Sequence, residues 1–194
     1  MPTMDGRHAR SERTRMAVAE AMLDCFEEGF LRPAASEVAE RAGVSTRAVF
    51  RHFDNMESLI EQVAELQNER VTSQLPPLSF EGTREERVDA LVARTTRAFE
   101  LTAAVRRAAL LIEPFSETIQ DRHAWLRREI RRSLRRSFAT ELDVLSDPER
   151  RDRIASLRAL LSHSYWDELR RHERFSVPAA KRTLCAAIHA LLSR

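Results

Sequence analysis

The sequence predicts an all-α protein of about nine helices, with a small N-terminal three-helix unit followed by a larger helical one. Three observations carry that expectation. Only 4 Gly and 7 Pro punctuate 194 residues that are rich in Ala, Leu, Arg and Glu, all good helix formers. Apolar side chains recur three and four residues apart between those breaks, and no run alternates as a strand would. Near the N-terminus, two short apolar-faced stretches flank a single glycine, the pattern of two helices joined by a sharp turn.

Taken in order, residues 1–10 mix Gly, Pro and charge and predict an irregular arm. Between Arg7 and Arg15 lie four arginines and His8 against the single acid Glu12. Such an arm either neutralises phosphates or enters a minor groove, or it is a solvated tail; both readings stand. A first helix is expected from about Ser11 to Phe30, with Val18, Met22 and Phe26 as its inner stripe and Gly29 closing it. Pro33 then starts the next element.

The stretch from Ala35 to Phe53 holds the hinged pair. Val38, Ala39 and Ala42 give the first helix one apolar face, and Glu37, Glu40 and Arg41 face water. Gly43 ends that helix, because glycine takes the left-handed conformation at little steric cost, and Val44 fills the corner. Ser45 caps the second helix through its hydroxyl. Val49 and Phe53, four apart, face inward, which leaves Thr46, Arg47, Phe50 and Arg51 outward. This is the layout of a helix-turn-helix, whose second helix enters the major groove of DNA with its N-terminal residues on base edges. Arg47 stands where a base reader is wanted.

At these residues the chain resembles the TetR family of transcriptional regulators. The likeness rests on Phe26-Glu27-Glu28-Gly29-Phe30, Val38 through Ser45, Phe50-Arg51-His52-Phe53, and Glu57-Ser58-Leu59-Ile60. The resemblance implies a DNA-binding set of Ser36, Ser45, Thr46, Arg47, Phe50, Arg51 and His52, with His52 on a phosphate. Three positions depart from the family pattern. Ala34 stands where a capping, phosphate-bonding Thr or Ser is usual, Phe50 where a Tyr hydroxyl meets a phosphate, and Met56 where a Lys is common. Ser36 is expected to take over part of the first contact, and Phe50 to offer only van der Waals contact, as with a thymine methyl.

A fourth helix is expected over about Asp54 to Leu75, with Leu59, Ile60, Val63 and Leu66 inward and Glu57, Glu61, Glu65 and Glu69 outward. The domain boundary is set along it, giving a DNA-binding domain at 1–55 and an effector-binding and dimerisation domain at 56–194. After Pro76-Pro77, Thr83 and Glu86 form a capping box for a helix running to about Leu101. Ala103 to Glu113 is apolar almost all round and predicts a separate, central buried helix ended by Pro114. The next helix carries Ile119, His123, Leu126, Ile130, Leu134 and Phe138, flanked by the arginine rows 127-131-135 and 128-132-136. Because Arg is abundant throughout the chain, these rows read as a solvated face rather than as an anion-binding surface. Ser146 and Glu149 cap an eighth helix through Leu157, Leu161, Tyr165 and Trp166, and Ser176-Val177-Pro178 opens a ninth through Leu184, Ile188 and Leu191. Within the resemblance, these last two helices from two chains form a four-helix dimer interface through Leu157, Leu161, Tyr165, Leu184, Ile188 and Leu191.

Composition narrows the function further. A formal net charge of +2 excludes a polycation that coats nucleic acid, so DNA binding must come from a local patch. Cys25 and Cys185 are isolated and make neither a disulfide framework nor a zinc site. Glu168 with His172, and Asp121 with His123, lack converging partners, and no phosphate loop or nucleophile elbow occurs, so neither an enzyme nor a cofactor is expected. The absence of an apolar h-region or an 18-residue apolar run predicts a cytoplasmic protein without a membrane partner. The expected function is a homodimeric repressor released from a palindromic double-stranded DNA operator by an apolar small-molecule effector. Phe99, Leu110, Phe115, Trp125 and Trp166 are the aromatic and apolar candidates to line the effector pocket, each with ordinary core packing as its alternative. The competing reading is a helical ligand-binding or enzymatic dimer with a vestigial reader, prompted by Ala34, Phe50 and Met56.

Overall fold

The computed structural model describes residues 5–193, with the backbone alone for residues 5 and 7. Its described residues form ten α-helices, one 3₁₀ turn and one π-helical turn, and no strand. In chain order these are α1 (Asp5–Glu27), α2 (Ala35–Arg41), α3 (Thr46–His52), α4 (Met56–Thr72), α5 (Arg84–Ile112), the 3₁₀ turn Glu113–Phe115 and α6 (Glu117–Ser137). Then follow α7 (Ala139–Leu142), α8 (Asp147–Leu160), α9 (His163–Asp167), the π turn Glu168–His172 and α10 (Val177–Leu192). The all-α class is as expected.

The chain divides into two compact units. One gathers the described residues up to Ser73 with Thr102–Gln120, and the other gathers Gln74–Leu101 with the described residues from Asp121 onward. Neither is a single stretch of chain, because α5 and α6 each contribute to both.

In the first unit, Val18, Met22 and Phe26 of α1 are fully buried and pack with Val38, Val49, Phe53, Leu59 and Val63. Val105, Ala108 and Ala109 from the end of α5, and Ile119 from α6, complete this core. Of the arm expected over residues 1–10, residues 1–4 lie outside the described residues; from Asp5 onward the chain is already helix. Arg and Ala carry helix propensity upstream. The Arg13 Nε and Thr14 hydroxyl donate back to the carbonyls of Ala9 and Arg10 at 3.2 and 3.0 Å.

The second unit has its core in Val88, Leu91, Val92, Leu134, Phe138, Leu142, Ile154, Leu157, Leu184 and Ile188. Arg87 is buried among them. Its guanidinium donates to both carboxylate oxygens of Glu141 and to the carbonyl of Ser137, and it lies over the Phe138 ring at 5.6 Å. Buried charge is tolerated only when partnered in this way.

Two elements differ from the sequence reading. The helix expected to stop near Leu101 runs on as α5 for 29 residues, since neither Gly nor Pro interrupts 84–112. Its second half is not buried all round: Val105, Ala108 and Ala109 face the core, and Leu110 and Leu111 are exposed. The expected eighth helix is broken at Leu161 and Ser162, where the Ser162 hydroxyl accepts from the Tyr165 N–H at 3.2 Å and so starts α9 afresh.

Candidate nucleic-acid interface

Two glycine turns set the reader. After α1, Phe30 N–H donates to the Cys25 carbonyl and Gly29 N–H to that of Phe26, at 2.9 and 3.0 Å. After α2 the same pair recurs, Val44 to Ala39 at 2.9 Å and Gly43 to Glu40 at 3.1 Å, with Gly43 at φ 66°. Both are Schellman endings, which satisfy the last carbonyls of a helix only if the hinge residue is left-handed. Ser45 then caps α3, its hydroxyl accepting from Ala48 N–H at 3.2 Å.

The entry to α2 is capped from one side only. Glu37 reaches back to accept from Ala34 N–H at 2.6 Å, and Ala34 has no hydroxyl with which to complete a capping box. Arg41 braces α2 against α1 with a bidentate pair to Glu28 at 2.5 and 2.7 Å. These bonds hold the Glu28 carboxyl below its ordinary range and raise the Arg41 guanidinium. Arg70 of α4 similarly meets Glu20 of α1 at 2.7 Å.

With Ala48 and Val49 buried, α3 has one rotational setting. That setting turns Ser45, Thr46, Arg47, Phe50 and Arg51 to solvent, and Ser36 is exposed on the first turn of α2. Phe50 is 49% exposed, an apolar ring left half open to solvent. His52 differs from the others. It is half-buried, and its Nε2 is covered without a hydrogen-bond partner among the described residues. Met56 packs partly buried against the first core. Arg15 lies over the Phe53 ring at 5.5 Å, so this arginine of the basic N-terminal run is drawn to the reader's own core residue.

The residues proposed for an effector pocket are only partly gathered. Phe99 and Trp166 pack together at 6.2 Å between ring centroids, and His163 lies 4.4 Å from Phe99. Leu110, Phe115 and Trp125 are instead exposed, Phe115 at 81%. Leu110 lies off the one face of α5 that meets the core, and Phe115 follows it at the end of the 3₁₀ turn. The sequence reading missed the polar part of the Phe99 cluster: Glu100 accepts from Trp166 Nε1 at 2.7 Å and from Arg170 Nε at 3.4 Å. These partners are some 66 and 70 residues apart, beyond any local signal.

The proposed dimer residues also divide. Leu157, Leu161, Leu184 and Ile188 are at most 2% exposed within one chain, locked in the second core. Tyr165 and Leu191 are half-buried. The exposed positions of α8 and α10 include Ala155 and Ala159 on one and Ala186 and Ala190 on the other, alongside the charged Arg151, Asp152 and Arg182.

Among the described residues no group of three or more His, Cys, Asp or Glu could hold a metal ion, and no helix is long and apolar enough to cross a membrane.

Residues 20–63 match the sequence model of a family described as bacterial regulatory proteins, tetR family. No curated protein matches the chain. In solved structures, the chain is similar to a transcriptional regulator from Rhodococcus sp. Rha1, at 21% identity and TM-score 0.68 over 92% of this chain and 95% of that one. It is also similar to a protein from Rhodococcus sp. assigned to the TetR-family transcriptional regulators, at 19% identity and TM-score 0.64 over 94% and 100%.

Proposed function

We propose that this chain, which belongs to the tetR family of bacterial regulatory proteins through residues 20–63, is a homodimeric repressor of a partly palindromic operator, released by a small-molecule effector. The observation that carries the reading is α3 itself, one face held in the core by Ala48 and Val49 and the other offering Thr46, Arg47, Phe50 and Arg51 to solvent. An exposed aromatic ring among cations suits a surface that meets base edges and thymine methyls. Arg47 is assigned to a base, Arg51 and Ser36 to phosphates, and Phe50 to apolar contact. With its Nε2 turned inward, His52 would reach a phosphate only through Nδ1 or after rotation.

Reading a palindrome takes two copies of α3 about one helical turn of DNA apart, ~34 Å, and hence a two-fold dimer. The exposed Ala155 and Ala159 of α8 and Ala186 and Ala190 of α10 suit that role, since small side chains let backbones approach closely. Release follows if an effector prefers an arrangement of the dimer in which the reader spacing no longer matches the operator. Within the second unit the Phe99, His163 and Trp166 cluster, rimmed by Glu100 and Arg170, is the favoured place for such an apolar effector.

Selection of bound fragments from random DNA, followed by titration at two salt concentrations, tests the reading. A palindromic consensus is expected, with Arg47→Ala costing ~1–3 kcal/mol and relaxing preference at one position of each half-site. Selection that returns no consensus would favour the second reading, a vestigial reader. That alternative rests on Ala34, which leaves α2 half-capped, and on Met56, which is drawn into packing where an ammonium would reach a phosphate.

A further inference from the structure

The outward face of α6 and Arg158 of α8 enclose an open cleft of about 450 Å³. Arg127, Arg128, Arg131, Arg132 and Arg135 line it from α6, with Ala124 as its floor, and no carboxylate is among the lining residues. The five α6 arginines fall within nine residues of helix, about 12 Å of axis from first to last. Over 121–137 the chain sets seven arginines against only Asp121 and Glu129.

Arginine is abundant in this chain, and several arginines elsewhere are paired with acids. Arg41, Arg70, Arg87, Arg150 and Arg170 each meet a carboxylate within 4 Å. In the cleft only Arg132 does, through Glu129 at 2.8 and 3.0 Å. The remaining five cleft arginines have no carboxylate partner among the described residues, in a protein whose 30 acids nearly balance its cations. A solvated helix face does not explain why a sixth guanidinium from a second helix converges on the same space.

We infer that this cleft is a binding site for a small polyvalent anion, one carrying several clustered phosphate groups. Guanidinium groups bind phosphate bidentately in a fixed fork geometry, and several in one concave site act together where a single surface arginine achieves little. The methylene stems of the same side chains supply an apolar wall for the body of such a ligand. The volume lies within the range of small-molecule sites. The cleft's arginines span only about 12 Å of helix axis, with Arg158 on a second side, a reach that matches a few linked phosphates and favours a small ligand over nucleic acid. The inference does not depend on the DNA reader.

The test is calorimetric titration of the full chain with inorganic triphosphate, in parallel with orthophosphate. Saturable binding of one triphosphate per chain is expected, at least tenfold tighter than orthophosphate. The double variant Arg128→Ala/Arg131→Ala should weaken it at least tenfold. Arg131→Lys keeps the charge but not the fork and should weaken it several-fold, and Arg171→Ala, on the exposed π turn, should leave it unchanged. Circular dichroism of each variant checks the fold, and Arg131→Lys, which preserves charge and bulk, serves if the double variant does not fold. Non-saturable binding, or equal affinities in the wild type and the cleft variants, overturns the proposal. A third arm titrates a random-sequence duplex: if the double variant loses duplex affinity tenfold and triphosphate competes for it, the cleft serves nucleic acid and the small-anion assignment fails.

Discussion

Gly43→Ala isolates the turn on which the reader depends. At φ 66° the residue is left-handed, and an added Cβ meets nothing within 4 Å, so no neighbour has to move. The whole cost is therefore the backbone term, ~1–2 kcal/mol for an L-residue in the left-handed region. Asparagine tolerates that region better, so Gly43→Asn should cost clearly less. In a chain of this size the alanine variant should lower Tm by about 2–8 °C, and urea unfolding should shift in midpoint at constant slope. Because Thr46 and Arg47 lie beyond the turn, operator affinity of the folded variant should fall by no more than severalfold. The sign decides the matter. Were the hinge an ordinary right-handed residue, alanine would stabilise by about 0.4–1 kcal/mol through the unfolded state. A neutral or stabilising result refutes the Schellman ending between α2 and α3.

Other expectations concern the second unit. Leu184→Ala should destabilise the chain by ~2–5 kcal/mol in chemical denaturation, since Leu184 is fully buried within one subunit. Ala186→Arg, on the outer face of α10, should leave the melting of each subunit intact but raise the dimer dissociation constant at least tenfold by sedimentation; the reverse pattern would place the dimer elsewhere. Glu141→Gln should cost ~3 kcal/mol, because Arg87 is left buried without its counter-charge, and a change below about 0.5 kcal/mol would mean that water already reaches the pair. Burial, with Asp89 beside it, pushes the Cys185 thiol up to about 11. About one molecule in a thousand is then thiolate at pH 8, so iodoacetamide should label Cys185 far more slowly than a model thiol and gain rate roughly tenfold per pH unit up to that value. Labelling at the model rate at pH 8 would remove the burial argument.

The sequence was most informative where the signal is local. Gly43, Ser45 and the Val49–Phe53 pair act through bonds and contacts a few residues long, and the structure places each as its chemistry requires. Apolar periodicity located most of the helices, though not the limits of α5 or the break after α8, and could not say what each stripe packs against. Leu157, Leu161, Leu184 and Ile188 are buried in the chain's own second core, because an apolar face looks the same in sequence whether a partner or the parent chain covers it. Ala103 to Glu113 erred in the opposite direction. Its apolar residues encircle the helix, yet only one side of α5 meets the first core. Phe115 and Trp125 lie exposed while Phe99 packs with Trp166, because side-chain type does not encode three-dimensional proximity. The arginine rows of α6 were visible in sequence, but the convergence of Arg158 from another helix was not.

The unbroken course of α5 limits how this protein can be cut. A fragment ending at Ser73 would carry every residue of the reader and still lack Val105, Ala108, Ala109 and Ile119, which close its hydrophobic interior. Grafting this reader onto a foreign regulatory half therefore requires the 102–120 stretch to travel with it, as a two-segment transplant rather than a single splice.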